Sequence, residues 1–121
     1  MKTHNVKKGK AGEALAMAFL KNAGHHIRET NYKKPSGEID LISLDGETLV
    51  FSEVKYRRNL DYGYPREAVS RTKQKRIAKT ALWYLKEKQL DDVNVRFDVI
   101  EIYYLADGEL VINHFENAFS I

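Results

Sequence analysis

Two carboxylates separated by twelve residues, Asp40 and Glu53, and an amine two positions further on, Lys55, are the residue types that hold a divalent cation and act beside it. A cation shared by two acids neutralises an attacked phosphate and lowers the pKa of its bound water. A lysine next to it can orient that water or stabilise charge developing on the phosphorus oxygens. Mg²⁺ (or Mn²⁺) suits such a pair, because Mg²⁺ typically takes one or two carboxylates and completes its octahedron with water and substrate phosphate.

Whether the acids can meet depends on the elements that carry them. Glu38–Leu44 and Glu47–Tyr56 are strand-like runs on either side of Asp45-Gly46, a pair that favours a type I′ hairpin turn. That turn sets Leu44 against Glu47, Ile42 against Leu49, Asp40 against Phe51 and Glu38 against Glu53. Period-two alternation then places Glu38, Asp40, Ile42, Leu49, Phe51, Glu53 and Lys55 on one face, and Ile39, Leu41, Ser43, Val50, Ser52, Val54 and Tyr56 on the other. Both faces are substantially apolar, so both are expected to be covered by protein. Asp40 and Glu53 become diagonal neighbours, roughly 7–8 Å apart at the backbone. Glu38 opposite Glu53 is a like-charge pair that needs a counter-ion, from Lys55, from the metal or from both. The competing account is an exposed strand end whose acids are simply solvated. Glu13 adds a further acid, in a helical stripe with Ala16, Met17 and Leu20; it is either a paired, buried acid or a first-turn glutamate favoured by the helix dipole.

The rest of the chain supplies a scaffold. A helix is expected over Gly9–Ala23, an extended run from His26 to Tyr32, a loop at Tyr62–Pro65, a long helix from Arg66 to Lys88, and strands at Val95–Tyr104 and Leu110–Phe115. The order α-β-β-β-α-β-β predicts one α/β domain over residues 1–121, with a core of about 9–115, mobile termini and a mixed sheet carrying helices. Charge is segregated along this order. Residues 1–34 hold eight Lys/Arg against two acids, and residues 55–79 hold nine against two, whereas 35–54 hold five acids and no Lys or Arg. Basic blocks flanking an acidic one match a polyanion surface around a cation site, or else scattered solvated charge. Tyr56, Arg57 and Arg58 end the acidic hairpin. On the second helix Arg71, Lys75 and Lys79 form one cationic stripe, and Lys73 and Arg76 a second pair. His4, His25, His26 and His114 show no metal-type spacing.

With 121 residues, 43% hydrophobic, the chain is long enough for one core. No apolar run approaches a membrane span, and Met1–Lys10 lacks a signal-peptide core. No cysteine is present, which removes thiol chemistry and fits a reducing cytoplasm. Nucleotide-phosphate and acyl-transfer motifs are absent.

Ile39-Asp40 followed by Glu53-Val54-Lys55 resembles the bipartite motif of the PD-(D/E)xK nuclease superfamily, with Ile where the motif has Pro. Gly12-Glu13, Asn31-Tyr32, Gly37–Ile42, Phe51–Lys55 with Arg57, Glu67-Ala68-Val69, Lys73 with Arg76, and Arg96–Val99 resemble the YraN-like uncharacterised protein family over residues 9–102. The resemblance implies a restriction-endonuclease-like α/β fold, a mixed central β-sheet flanked by helices, related to archaeal Holliday junction resolvases. It further implies Glu13, Asp40 and Glu53 as metal ligands and Lys55 as the catalytic lysine. The expectation is a metal-dependent nuclease acting on DNA, structure-specific by analogy with resolvases, with Tyr56, Arg57, Arg58, Lys73 and Arg76 on the nucleic acid. Resolvase-like relatives act as dimers, so a homodimer is open. The alternatives are a non-catalytic nucleic-acid-binding module and a scaffold for a protein partner.

Overall fold

Apolar residues recur in two helical and five extended patterns, and the chain folds accordingly. The computed structural model describes residues 2–60 and 69–120. The elements run α1 (Lys2–Asn22), β1 (His26–Lys34), β2 (Gly37–Asp45), β3 (Thr48–Arg57), α2 (Arg71–Glu87), β4 (Asn94–Tyr104) and β5 (Leu110–Phe119). The strands form one sheet in sequence order. β3 and β4 are parallel, joined across α2, and the other neighbours are antiparallel. A parallel pair requires such a crossover. This is the mixed, helix-flanked α/β architecture expected from the sequence, in agreement with a restriction-endonuclease-like fold.

The helices cover opposite faces. Ala16 and Leu20 of α1 pack with Leu41, Ile100 and Ile102. Ile77, Ala81 and Tyr84 of α2 pack with Ile42, Leu49 and Phe51. Neighbouring Leu41 and Ile42 thus serve different cores, as strand alternation demands. α1 ends at Asn22, and the chain turns away at Gly24, whose φ of 94° a glycine adopts without strain. No helix among the described residues is long and apolar enough to cross a membrane.

Four expectations need correction. α1 begins at Lys2 rather than Gly9. α2 begins at Arg71 rather than Arg66: Ser70 is extended (φ −61°, ψ 156°) and its hydroxyl caps the Lys73 N–H at 3.1 Å. The loop at Tyr62–Pro65 and residues Glu67-Ala68 lie outside the described residues. β5 continues to Phe119, past a register shift opposite Phe97/Val99. The hairpin turn also moves by one residue, with Asp45 opposite Thr48 and Leu44 opposite Leu49. The turn is therefore Gly46-Glu47. Gly46 has a φ of 62° while Glu47 is not left-handed, as a type II′ turn requires. Asp45 stays in the strand, where Arg96 Nη1 donates to its Oδ2 at 3.1 Å. A slip of two residues preserves which face each side chain takes.

Candidate active site

The two-residue slip makes Asp40 and Glu53 directly opposed in the continuing register, but the β2–β3 ladder stops one pair earlier, at Leu41/Ser52. The β1–β2 ladder skips the same place: Asn31, opposite Asp40, has a φ of 51° and lies between the Thr30/Leu41 and Tyr32/Ile39 pairs. Asp40 therefore sits where both ladders are interrupted. Its Oδ2 accepts the Val54 N–H at 2.8 Å, taking the place of a backbone carbonyl. Alternation also fails here, since Ile39 packs into the α2 core rather than the α1 face where strict period two places it.

Asp40 and Glu53 line one cavity of about 370 Å³, with Glu38, Gly37 and the first turns of α2 (Ser70, Thr72, Lys73, Arg76, Ile77). Glu53 is buried, and Lys73 Nζ donates to its Oε1 at 2.5 Å. Burial pulls the Lys73 ammonium downward, but the hydrogen bond and charge of Glu53 outweigh it, and its pKa stands above the ordinary lysine value. Among the described residues, no such cation is in contact with Asp40. Burial first, then the charge of Glu53, push its pKa up to about 7; the Val54 N–H opposes this, and Glu38 and Glu13 add to it.

The other sequence-derived residues are distributed unevenly. Glu13 is within electrostatic reach of Asp40, but Asn31 Nδ2 donates to its Oε1 at 2.6 Å. Gly12 sets that position: a Cβ there would lie 2.7 Å from the Tyr56 Cβ, so only glycine lets α1 approach β3 this closely. Tyr56 accordingly packs in the α1 core, on the face away from α2. Arg57 and Arg58 are exposed at the end of β3 and beyond it. Lys55 is half-buried, beside Glu101 in the parallel register, and does not line the cavity. Arg76 is exposed and lines it.

Glu38, expected beside Glu53, is a wall of the cavity, and one role escaped the sequence: Lys73, not Lys55, is the partner of Glu53. One signal for Lys73 was available. The first turn of α2 contains Arg71 and Lys73 and no acid, against the helix dipole, so its cations need a reason to be there.

A divalent ion fits this donor set in part. Among the described residues no three His, Asp or Glu side chains form a ready-made metal cage. Two acids with room for water and phosphate meet the usual needs of Mg²⁺, whereas Glu13 accepts from Asn31 and does not line the cavity.

A second buried acid lies on the other face. Asp98, fully buried, receives Arg96 Nε at 2.9 Å and Nη2 at 3.0 Å, the Asn117 N–H at 2.9 Å, and His114 Nε2 lies 2.7 Å from its Oδ2. His25 joins this cluster, 6.1 Å from the His114 ring and 2.9 Å from the Ser43 hydroxyl.

A model of the Uncharacterised protein family UPF0102 matches residues 12–102, a span that contains both clusters apart from His114 and Asn117. The chain belongs to that family. A UPF0102 protein of Syntrophus aciditrophicus is 48% identical over 120 residues, covering 97% of this chain and 94% of its own. Another, of Geobacter sulfurreducens, is 45% identical over 118 residues, covering 98% and 92%. A third UPF0102 protein, of Geotalea daltonii, is 43% identical over 120 residues, covering 99% and 94%. The YraN-like resemblance read from the motifs is thus borne out across the domain.

Proposed function

We propose that this chain is a metal-dependent nuclease that hydrolyses phosphodiester bonds in DNA, with Asp40 and Glu53 holding Mg²⁺ or Mn²⁺. The supporting observation is that half-buried Asp40 and buried Glu53, just beyond the end of the β2–β3 ladder, line one cavity whose other wall is the cationic N-terminal end of α2. Burying like charges together is costly without a cation between them. A divalent ion there supplies charge neutralisation and an acidified water. Val54 fixes the Asp40 carboxylate through its N–H, so one oxygen is oriented before any ligand arrives. Lys73 and Arg76 flank the cavity where a phosphate would enter, and the helix N-terminus adds partial positive charge. Lys55, two residues along β3 from Glu53, is the candidate to orient water. Arg57 and Arg58 extend the cationic surface.

One observation favours a second reading. Lys73 already neutralises Glu53, so the cavity can meet phosphate without a metal, as a non-catalytic DNA-binding module would. Incubation with Mg²⁺ or Mn²⁺ and a panel of duplex, single-stranded, flap and four-way DNA separates the two. The nuclease reading expects cleavage that Glu53→Gln abolishes while DNA binding persists. It expects Lys55→Ala to keep a metal-dependent rise in Tm but lose cleavage. Cleavage by Glu53→Gln at the wild-type rate removes this site from the reaction. DNA binding with neither metal response nor cleavage favours the module.

A further inference from the structure

The outer face of α2 carries a feature that phosphate binding alone does not require. Leu82 is 63% and Trp83 49% exposed, side by side on a helix face that also carries Arg71, Lys75, Lys79 and Lys86, with the acid Glu87 one turn beyond Trp83. They floor a groove of about 590 Å³, walled by Leu85, Leu90, Lys79 and Lys86. Lys34 Nζ lies 5.9 Å from the Trp83 ring, within cation–π range, while its charge is shared with Glu87 at 2.5 Å. Among the described residues, Asp91 is the one acid lining the groove.

The groove adjoins the acidic cavity. Ser36 lines the groove and the next residue, Gly37, lines the cavity, and Ser36 Oγ is 2.8 Å from Thr80 Oγ1 of α2. Along the helix, Arg76 borders the cavity and Lys79, one turn later, borders the groove. From Lys73 to Trp83 is ten residues of helix, about 15 Å. A strand leaving the cavity along this face meets cations first and then an apolar, aromatic floor.

An apolar floor with a cationic rim complements a polyanion that also exposes flat apolar surfaces. A DNA strand with unpaired bases is such a ligand; a blunt duplex keeps its bases stacked and offers mainly phosphates. We propose that this groove seats unpaired bases on Trp83 and Leu82 while the phosphates run along Arg76, Lys79 and Lys86 toward Asp40 and Glu53. The substrate is then DNA with a single-stranded segment beside the scissile phosphate, as in a flap or fork. The inference rests on the DNA-cleaving reading of the acidic cavity.

Trp83 is the only tryptophan in the chain, so fluorescence reports on the groove alone. Metal-free protein is titrated with a short single-stranded oligonucleotide, a forked duplex and a blunt duplex. Quenching by the first two and not by the third is the expected result. Trp83→Leu should weaken single-strand binding about tenfold and leave blunt-duplex binding unchanged, and Trp83→Phe should retain most of the affinity. Lys79→Ala with Lys86→Ala should flatten the single-strand salt slope by about 1.4 units. Salt-dependent DNA binding with unaltered fluorescence and a normal Trp83→Leu variant overturns the groove and leaves the cavity reading standing. No binding to any DNA overturns both. A fluorescence change that follows protein concentration without DNA, with a matching dimer in sedimentation, makes the occupant a second copy and overturns the proposal.

Discussion

Asp40 and Asp98 occupy equivalent places in the sheet and have opposite surroundings. Each sits at a break in a ladder and accepts a backbone N–H left over there, Val54 for Asp40 and Asn117 for Asp98. Asp98 then gains a bidentate arginine and a histidine. Burial alone would push its carboxyl up, but the hydrogen bonds of His114, Arg96 and Asn117 hold it below the ordinary aspartate value. Asp40 instead faces Glu53, Glu38 and Glu13, while the Lys73 ammonium contacts Glu53. A buried acid surrounded by donors consolidates a fold. One surrounded by other acids strains it unless a cation from outside arrives, and that difference separates a structural centre from a candidate active site.

The comparison breaks most readily at Asp98. Asp98→Ala leaves Arg96 largely buried without its main partner and should cost about 3–5 kcal/mol, lowering Tm by roughly 10 °C or more. A loss within the range of a surface substitution would show that the cluster is not structural. Asp40→Asn should act with the opposite sign. Because the folded pKa of Asp40 is about 7, above the ordinary 3.8, its contribution to stability is complete below about pH 4 and is lost as pH rises through 7. Metal-free Asp40→Asn should therefore gain on the wild type between pH 4 and 8, by up to about 4 kcal/mol. Denaturant midpoints across that range read it, and a difference independent of pH refutes it. For Asp98 the sense reverses: its contribution is present above the ordinary aspartate pKa and fades as pH falls through the lower folded value.

Lys73 sharpens the contrast. Its ammonium occupies the neighbourhood of Glu53 that a divalent ion would take, so Lys73→Met should bind Mn²⁺ about tenfold more tightly by calorimetry, or about 1.4 kcal/mol. Without metal the same variant leaves Glu53 unpaired and should lose about 1–3 kcal/mol, which saturating Mn²⁺ restores. Unchanged metal affinity would mean that the lysine and the ion do not compete. The smallest effect is at His25. Burial, countered by Asp45 and reinforced by His114 and Arg96, lowers its pKa below 6.5. Its contribution is present above 6.5 and fades as pH falls through the lower folded value. Its NMR titration midpoint should lie under that of a free imidazole.

The element order, the mixed sheet and the pairing of faces were legible because they follow from local periodicity and a glycine-bearing turn. Glu38, Asp40 and Glu53 could be assigned to one end of the hairpin for the same reason. The register was mistaken by two residues, since Asp45-Gly46 and Gly46-Glu47 are both acceptable turns and the choice depends on Arg96, fifty-one residues from Asp45. The start of α2 was missed because a Ser cap and a run of good helix formers upstream compete locally, and only packing decides between them. His25 and His114 showed no common spacing, yet strands β2 to β5 bring them to the same buried cluster.

The sequence by itself determined which residues could be buried and which face most strand residues take, Ile39 excepted, because these depend on side-chain period over a few residues. Tertiary structure alone decided which acids are compensated. Asp40 and Asp98 are the same residue type in similar strands, and nothing nearby in the chain distinguishes a neutralised acid from an uncompensated one, except that Arg96 lies two positions from Asp98. The outcome is set by what β5, α1 and α2 carry across space: His114 and Asn117 to one acid, and Lys73 past the other to Glu53. Electrostatic energy depends on distance through space, and only the fold sets those distances.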